Sequence, residues 1–240
     1  MKKIIFVFTI AALAACEYKD ISPRICYLAT EWAPSKSIIY SYDSKNLLAT
    51  YTAQNIFSSV LTYNDAGNII SELDNHAIQI NYDYDQNNQL ILWTQSIANY
   101  PASNIQIKFT YNKAGQNILK QYYRYDVASS SYYLINYVES SYPSTRTKSY
   151  SKLKTYNATS TLLYTEDFLW DNHPNPYLAN PFFINEPPPS NNITQYTFTP
   201  AGGVPNVVTY TYTYNNNGFP ITQSIPGYGT IAFYTYTNCN

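Results

Sequence analysis

Polar and aromatic residues alternate along several stretches of this chain, most regularly where residues 209–214 read Thr-Tyr-Thr-Tyr-Thr-Tyr. Successive side chains of an extended strand point to opposite faces, so a period of two predicts a β-strand. One face of this strand is aromatic and the other carries hydroxyl groups. The pattern therefore predicts a sheet with two chemically unlike faces.

The alternation ends repeatedly in a short polar turn. In the clearest example, Leu61 and Tyr63 point to one face of a strand, and residues 64–67 then read Asn-Asp-Ala-Gly. This sequence is typical of a type I turn closed by a residue in the left-handed conformation, which glycine and asparagine adopt at the lowest cost. The pattern predicts a β-hairpin.

The hairpin pattern recurs along the chain. Tyr42, Tyr63 and Tyr84 each precede such a turn and lie 21 residues apart, which is enough for two strands of about eight residues and two short turns. Further copies, some degenerate, occur at residues 109–115, 125–126, 156–157, 196–200 and 210–219, and residues 233–236 form a closing strand. The sequence therefore predicts an all-β fold, an antiparallel meander of about twelve strands whose twist produces a strongly curved or closed, barrel-like sheet.

Residues 166–192 break the pattern. This segment holds prolines at positions 174, 176, 181, 187, 188 and 189, and proline removes the backbone donor that a sheet needs. We expect a long irregular excursion that lies on the sheet as a plug or cap. Trp170, Phe182 and Phe183 lie within it and are the candidate ligand-binding residues of the chain.

The first fifteen residues form a bacterial secretion signal. Lys2 and Lys3 precede an apolar run over residues 4–12, which is too short to span a bilayer as a helix of about 20 residues. The following Leu-Ala-Ala-Cys at residues 13–16 resembles the lipobox of bacterial lipoproteins. That resemblance implies cleavage before Cys16, followed by acylation of its sulfur and its new amine; an ordinary signal that leaves Cys16 as a free thiol is the alternative.

Three acyl chains hold a protein at a membrane surface, since one chain alone gives only marginal binding. Residues 17–20, Glu-Tyr-Lys-Asp, resemble the export signal of surface lipoproteins in Bacteroidota. We therefore expect a lipid-anchored outer-membrane protein at the cell surface, with the periplasm-facing leaflet as the alternative. The domain organisation that follows is a signal peptide over residues 1–15, a tether over residues 16–25 and a single β domain over residues 26–240.

Charge and composition exclude some functions. The chain contains 28 tyrosines and only 12% charged residues, and its formal net charge is −1. A nucleic-acid ligand calls for a basic patch, whereas the cations here are scattered, so we expect no nucleic-acid partner. The uncharged polar residues between the tyrosines are typical of strands with a polar face.

Cys26 and Cys239 lie near the two ends of the β domain. The envelope of a bacterium permits disulfides, and we predict that these two cysteines pair and join the first strand to the last. Two separate buried thiols are the alternative, and a Cα separation beyond about 7 Å excludes the bond.

No catalytic set emerges from the remaining residues. His76 follows Asp74 in a predicted turn and His173 lies in the excursion, where we expect both to be solvated. Asp83 and Asp85 have a spacing that suits a glycosidase or a calcium site, but both lie where a strand enters a turn and such carboxylates cap backbone groups. We predict no enzyme, no metal site and no cofactor.

The repeated Tyr-Asp or Tyr-Asn followed by Gly or Asn resembles the tyrosine-aspartate (YD/RHS-like) repeats of secreted bacterial shell proteins. The whole chain, from Cys16 through residues 170–176 to residues 236–239, is similar to an uncharacterised Bacteroidota surface lipoprotein family described as having a porin-like fold. The resemblance implies a curved or closed antiparallel sheet and supplies no activity.

Four hypotheses for the function remain open, of which an enzyme is the least favoured. The first is a structural or interaction scaffold of the cell envelope whose tyrosines form its core. The second is a surface module that binds carbohydrate or another ligand, because sugar rings stack on aromatic side chains and bond to Asn, Thr and Tyr. An outer-membrane pore is the third, although the chain ends in Cys239-Asn240 rather than in an aromatic strand. The expected partners are the membrane, through the lipid anchor, and a glycan or an envelope protein.

Overall fold

The computed structural model describes residues 26–33, 36–53, 57–144, 149–177, 189–237 and 239. These residues form seventeen β-strands and one short 3-10 helix at Pro101–Ser103. The strands are β1 (Tyr27–Ala33), β2 (Lys36–Tyr42), β3 (Leu48–Ala53), β4 (Phe57–Tyr63), β5 (Ile69–Asp74), β6 (Ile78–Tyr84), β7 (Leu90–Ile97), β8 (Ile105–Tyr111), β9 (Asn117–Asp126), β10 (Ser131–Ser141), β11 (Lys152–Asn157), β12 (Leu162–Pro174), β13 (Asn191–Pro200), β14 (Asn206–Thr209), β15 (Thr211–Tyr214), β16 (Pro220–Ile225) and β17 (Gly229–Thr237).

The strands form one antiparallel sheet that is nearly closed into a barrel. Strands that follow one another in the chain pair with each other, and β1 also pairs with β17. Only Tyr210 separates β14, which pairs with β13, from β15, which pairs with β16. These two strands are therefore halves of one extended segment. Counted as a single strand, they reduce the total from seventeen to sixteen. A closed ring of antiparallel strands requires an even number.

The all-β prediction is confirmed, although the structure has more strands than the predicted twelve or so. In three hairpins the turn lacks a glycine or asparagine at its left-handed position. Ser130, Ser160 and Ala77 take that position, with φ of 52°, 64° and 60°. The sequence marks these turns only through the Asp or Asn residue that begins each of them.

One turn geometry recurs around the barrel. The side-chain oxygen of Asn64 accepts hydrogen bonds from the backbone N–H groups of Ala66 and Asn68, at 3.0 and 2.9 Å, and Gly67 has φ of 80°. The register of the hairpin shifts between Thr62 and Tyr63, so this turn carries a bulge. The same pair of side-chain bonds occurs at Asp43, Asp74, Asp85, Asn112, Asn157 and Asn215.

The buried side chains form two clusters on the inner face of the barrel. The larger cluster comes from β1–β8 and β17 and contains thirteen buried residues, among them Tyr40, Trp93, Phe109 and Tyr234. We call this part of the inner face the apolar side. The smaller cluster consists of Val138, Leu153 and Phe168, and we call the inner face of β9–β13, which carries it, the polar side.

The prediction that Cys26 and Cys239 pair is confirmed. The two residues form a disulfide with a Cα–Cα distance of 4.2 Å. Cys26 directly precedes β1 and Cys239 follows β17, and these two strands are neighbours in the sheet. The bond therefore fastens the first strand of the barrel to the last.

The proline-rich excursion is shorter than predicted. Strand β12 continues to Pro174 and β13 begins at Asn191, so the start and end of the predicted segment 166–192 belong to the sheet. Pro174 is tolerated because it is the last residue of its strand, where a missing donor interrupts no ladder. Among the described residues, no helix is long and apolar enough to cross a membrane.

Candidate functional site

A belt of aromatic donors runs around the inner face of the barrel. Tyr63 donates its hydroxyl to the backbone carbonyl of Leu48 at 2.7 Å, and Leu48 is the strand partner of Tyr42. Each donor thus bonds to the hairpin that precedes its own. The donors of this aromatic belt are Tyr42, Tyr63, Tyr111, Tyr142, Trp170, Tyr212 and Tyr236, and the acceptors are the carbonyls of Leu28, Leu48, Leu90, Asn117, Tyr150, Ile193 and Pro220.

The belt continues across the joint between the first and last strands. Tyr236 donates to Pro220 O at 2.6 Å, and Tyr42 donates to Leu28 O at 2.7 Å. Leu28 is itself the strand partner of Tyr236. The tyrosines that precede the turns at Asp43, Asn64 and Asn112 therefore each tie one hairpin to another, which accounts for their recurrence in the sequence.

Trp170 is a member of this belt. Its indole N–H donates to Tyr150 O at 2.6 Å, and its ring stacks on Phe168 with centroids 5.7 Å apart. Of the three predicted ligand-binding residues, only Trp170 is described; Phe182 and Phe183 lie outside the described residues. Trp170 lies in β12 rather than in an irregular segment, and its donor is used within the sheet.

The two ends of the excursion are held together by Asp171. One oxygen of its carboxylate accepts from the backbone N–H groups of His173 and Asn192, each at 3.0 Å. The other oxygen accepts from the Asn192 side chain at 2.9 Å and from the Tyr214 hydroxyl at 2.5 Å. His173 stacks on Tyr214 with ring centroids 3.8 Å apart. His173 is therefore half-buried in a polar cluster, which corrects the prediction of a solvated loop histidine; the cause is that β12 extends through this residue.

The chain beyond Pro174 turns toward the barrel interior. Pro176 is buried, and Tyr177 packs against the apolar side with its ring 6.5 Å from that of Tyr234. Burial raises the pKa of Tyr177, and the nearby Tyr234 and the carboxylate of Glu31 raise it further. Tyr177 thus occupies the lumen near Glu31; residues 178–188 of the predicted excursion lie outside the described residues.

Two buried carboxylates on the inner face accept hydrogen bonds from tyrosines. Glu31 accepts from Tyr40 at 3.2 Å, and Glu72 accepts from both Tyr51 and Tyr82, the latter at 3.1 Å. Burial raises the pKa of Tyr40, Tyr51 and Tyr82, and the adjacent carboxylates add to the effect because they disfavour a phenolate. These tyrosines therefore remain protonated donors, which suits a structural role for both carboxylates.

The polar side of the lumen has a different character. Lys120 and Thr155 are only 3% and 2% exposed, and Asn117 is buried as well. Within the described part of the chain, the side-chain oxygens of Thr155 and Asn136 and both polar atoms of the Asn117 amide make no hydrogen bond. The fifth such atom among the described residues is Ser59 Oγ on β4 of the apolar side. A buried polar atom without a partner costs about 1–3 kcal/mol, so the presence of four of the five on the polar side requires an explanation.

Aromatic rings border the polar side. Tyr164 and Phe198 face inward on β12 and β13 with ring centroids 5.1 Å apart. The hydroxyl of Tyr196 donates to Glu166 at 2.8 Å on the same strands. All four side chains are partly exposed, so solvent reaches the lumen at this position.

The other residues singled out from the sequence occupy structural positions. His76 lies in an exposed turn 3.5 Å from the Asp74 carboxylate. Asp85 caps its turn by accepting from Asn87 and Gln89, whereas Asp83 is exposed on the outer face of β6. No group of three or more metal-ligating side chains occurs in the described ranges, and Cys16 lies outside them.

Sequence reasoning missed the polar side. Asn136, Thr155 and Tyr164 occur in strands that read as degenerate repeats, and the inward position of each depends on the register of three neighbouring strands. The one feature of the sequence that indicates the polar side is an amide or a hydroxyl side chain at inward positions where the regular repeats carry Ile, Leu or Phe.

Comparison with solved structures identifies the fold. The chain is similar to a porin-like protein from Bacteroides uniformis, with a TM-score of 0.57 and 14% identity over 90% of this chain and 98% of that one. It is also similar to a porin-like protein from Bacteroides vulgatus, with a TM-score of 0.61 and 8% identity over 88% of this chain and 99% of that one. No protein-family model and no curated protein matches the sequence. At this level of identity the likeness establishes a shared architecture, and the fold of this chain is that of the porin-like proteins of Bacteroides.

Proposed function

We propose that this protein is a lipid-anchored protein of the cell envelope whose barrel serves as a structural and interaction scaffold, without enzymatic activity. The observation that carries the proposal is the aromatic belt, in which donors such as Tyr63 and Trp170 are bonded to the backbone of the barrel itself. The repeated tyrosines are therefore accounted for by the architecture. The predicted secretion signal and the lipobox-like sequence at Cys16 support a location in the cell envelope.

The outer face of the barrel mixes exposed apolar side chains, such as Val60 and Leu169, with polar pairs. The polar pairs favour a scaffold in contact with water over a pore. A spanning barrel presents an apolar band about 25 Å tall to lipid. Here Lys152 and Asp167 form an ion pair at 3.0 Å on the outer face of β11 and β12, and Thr213 and Thr222 bond to each other at 2.6 Å on β15 and β16. Charged and hydroxylated side chains of this kind are costly in hydrocarbon.

One part of the outer face suits a partner. Trp32 and Phe233 are opposite each other on β1 and β17, 47% and 42% exposed, with ring centroids 5.4 Å apart. Ile39 on the adjacent strand β2 is exposed as well. Exposed aromatic pairs are enriched where proteins associate, and this pair lies on the strands that the disulfide joins.

The anchor is tested by changing Cys16→Ser in the full chain and expressing it in a Bacteroidota host fed an alkyne fatty acid. We expect the wild-type protein to carry the label and to sediment with the outer membrane, and the variant to lose both properties. The matched control is the double change Cys26→Ser and Cys239→Ser, which leaves the lipobox intact and should retain the label. Labelling of the Cys16→Ser protein would overturn the anchor proposal.

The leaflet is tested on the same cells with added protease. Digestion of the wild-type barrel in intact cells indicates the outer leaflet, whereas digestion only after the outer membrane is opened indicates the periplasm-facing leaflet. An internal periplasmic protein serves as the integrity control.

A further inference from the structure

The orphan polar atoms of the polar side lie next to one another in the sheet. Thr155 is the strand partner of Val138, and Asn136 is two residues from Val138 on the same face of β10. Such diagonal neighbours are about 7–8 Å apart between Cα atoms. The Thr155 hydroxyl and the Asn136 amide oxygen therefore lie within the span of one small ring with substituents.

The aromatic pair continues this strip on the inner face. Thr155 is also the strand partner of Tyr164, whose ring contacts Phe198. Glu166 follows Tyr164 on the same face and is the strand partner of Phe198. A strip of two polar side chains, two rings and one carboxylate therefore crosses four neighbouring strands, β10–β13.

The aromatic part of the strip is accessible. On the apolar side the central inward residues of β8, Ile107 and Phe109, are 1% and 6% exposed. On the polar side Tyr164, Phe198 and Asn136 are partly exposed although they also face inward. The lumen thus admits a molecule beside the rings on this side of the barrel. The oxygens of Thr155 and Asn136 lie on the same strip, unbonded but closed to solvent in the free protein.

We propose that this strip, defined as Asn136, Thr155, Tyr164, Glu166 and Phe198, binds a neutral saccharide unit inside the barrel. The apolar face of a sugar ring stacks on the Tyr164 and Phe198 rings, as sugars do on aromatic side chains. Its hydroxyls donate to the Glu166 carboxylate and, once the partly exposed Asn136 and Tyr164 side chains move aside, to the buried oxygens of Asn136 and Thr155. A carboxylate within the strip disfavours acidic sugars, because like charges repel. This role goes beyond the scaffold proposed above and does not depend on the lipid anchor.

The binding test uses the full chain purified in a detergent without a sugar headgroup. The probes are maltohexaose, cellohexaose, mannohexaose and xylohexaose, titrated by calorimetry and checked by saturation-transfer NMR. We expect saturable binding of at least one probe and no binding of hexagalacturonate, which carries carboxylates. Absence of binding by all four probes, with a cooperative thermal transition that shows a folded protein, overturns the proposal, as does binding of hexagalacturonate alone.

Variants locate the site. Phe198→Ala and Tyr164→Ala remove the stacking surface and should each weaken binding by about tenfold. The matched control is Tyr137→Ala, because Tyr137 stacks on Tyr156 at 4.9 Å on the outer face of β10 and β11; it should leave the affinity unchanged. Equal effects of the inner and outer variants, or no effect of either, overturn the assignment of the site.

The Thr155→Val variant separates a role of the hydroxyl in ligand binding from a role in the fold, because the two roles predict opposite changes in melting temperature and affinity. Replacing an unbonded buried hydroxyl by a methyl group should raise the melting temperature of the free protein by about 2–4 °C, while the affinity for the bound probe falls severalfold. A lower melting temperature together with unchanged affinity contradicts the proposal, because it assigns the hydroxyl to the fold.

Discussion

The two sides of the barrel lumen are built from the same hairpin but have different interiors. On the apolar side, strands β2–β8 are six to eight residues long, and their inward positions supply most of the thirteen buried residues of the large cluster. On the polar side, β10 and β12 are 11 and 13 residues long, and only three residues form the buried cluster. The outer architecture is thus shared while the interior is not.

This difference separates what the repeat does from what individual strands do. The turn and the belt tyrosine close each hairpin and tie it to the next, and they need only two or three positions per repeat. The inward positions between them are free to vary without breaking the ring. The apolar side uses most of these positions for packing and bonds its two inward carboxylates, Glu31 and Glu72, to tyrosines. The polar side places amides, hydroxyls and a lysine there.

The largest expected effect is unfolding at alkaline pH, carried mainly by the apolar side. Burial, together with the nearby Tyr111, raises the pKa of Tyr84 to about 12, and burial also raises the pKa of Tyr40 and Tyr82. A folded pKa above the unfolded value of 10.0 leaves stability unaffected below pH 10 and lowers it as the pH rises toward 12, since only the unfolded chain releases the proton.

Absorbance at 295 nm and the melting temperature, recorded together from pH 8 to 12, check this expectation. The exposed tyrosines should ionise near pH 10, and the buried ones should ionise only in step with a falling melting temperature. Ionisation of all tyrosines in one step near pH 10 with no loss of melting temperature would contradict it.

A matched pair of phenylalanines compares the packing of the two sides. Phe109 lies in the large cluster and Phe168 in the small one, at 6% and 8% exposure. Phe109→Ala should cost about 4–5 kcal/mol because its cavity is enclosed, and Phe168→Ala about 3 kcal/mol because water entering from the open side fills part of the space. Urea denaturation measures both values. A larger loss for Phe168→Ala would show that the small cluster is the better-packed core.

The features that recur were predictable from the sequence. The turn at residues 64–67 and its copies require an acceptor side chain at the first position and a left-handed residue at the fourth, and both requirements are visible as residue types. The tyrosine period and the strand alternation are visible for the same reason. The fold class and the disulfide between Cys26 and Cys239 followed from these local rules and from the compartment.

The features that do not recur were not predictable. The prolines that follow Trp170 predict an irregular segment, yet its strand continues to Pro174 through the contacts of Asp171 with Asn192. The polar side depends on which residues meet across β10–β13, and a bulge between Leu134 and Asn136 sets the inward position of Asn136. Long-range register of this kind leaves no local signal.

The turns provide a smaller contrast between regular and degenerate repeats. Gly67 has φ of 80° and an added Cβ would meet only Leu47, at 4.0 Å, so Gly67→Ala should cost about 1–2 kcal/mol through backbone strain alone. Ser160 holds the same position with φ of 64°. Ser160→Gly should therefore stabilise by a few tenths of a kcal/mol to about 1 kcal/mol. Thermal melts should show a lower melting temperature for Gly67→Ala and a higher one for Ser160→Gly. A lower melting temperature for Ser160→Gly would contradict this account.

The smallest expected effect concerns the aromatic belt, which both sides share. Tyr63 donates to Leu48 O at 2.7 Å on the apolar side, and Tyr142 donates to Asn117 O at 2.9 Å beside the polar side. Tyr63→Phe and Tyr142→Phe each remove one hydroxyl donor and keep the ring, so each should cost about 1 kcal/mol. In the double variant the two losses of stability should add, because the two sites share no partner.

Equal losses in urea denaturation would show that the belt fastens the hairpins in the same way all around the barrel, whatever fills the lumen. A loss confined to Tyr63→Phe would instead show that the belt stabilises only where the interior is packed. In that case the stability of β9–β13 would rest on the backbone hydrogen bonds of the sheet and on the hydrogen bonds that Asp171 accepts. The polar side would then be the part of the barrel that unfolds first.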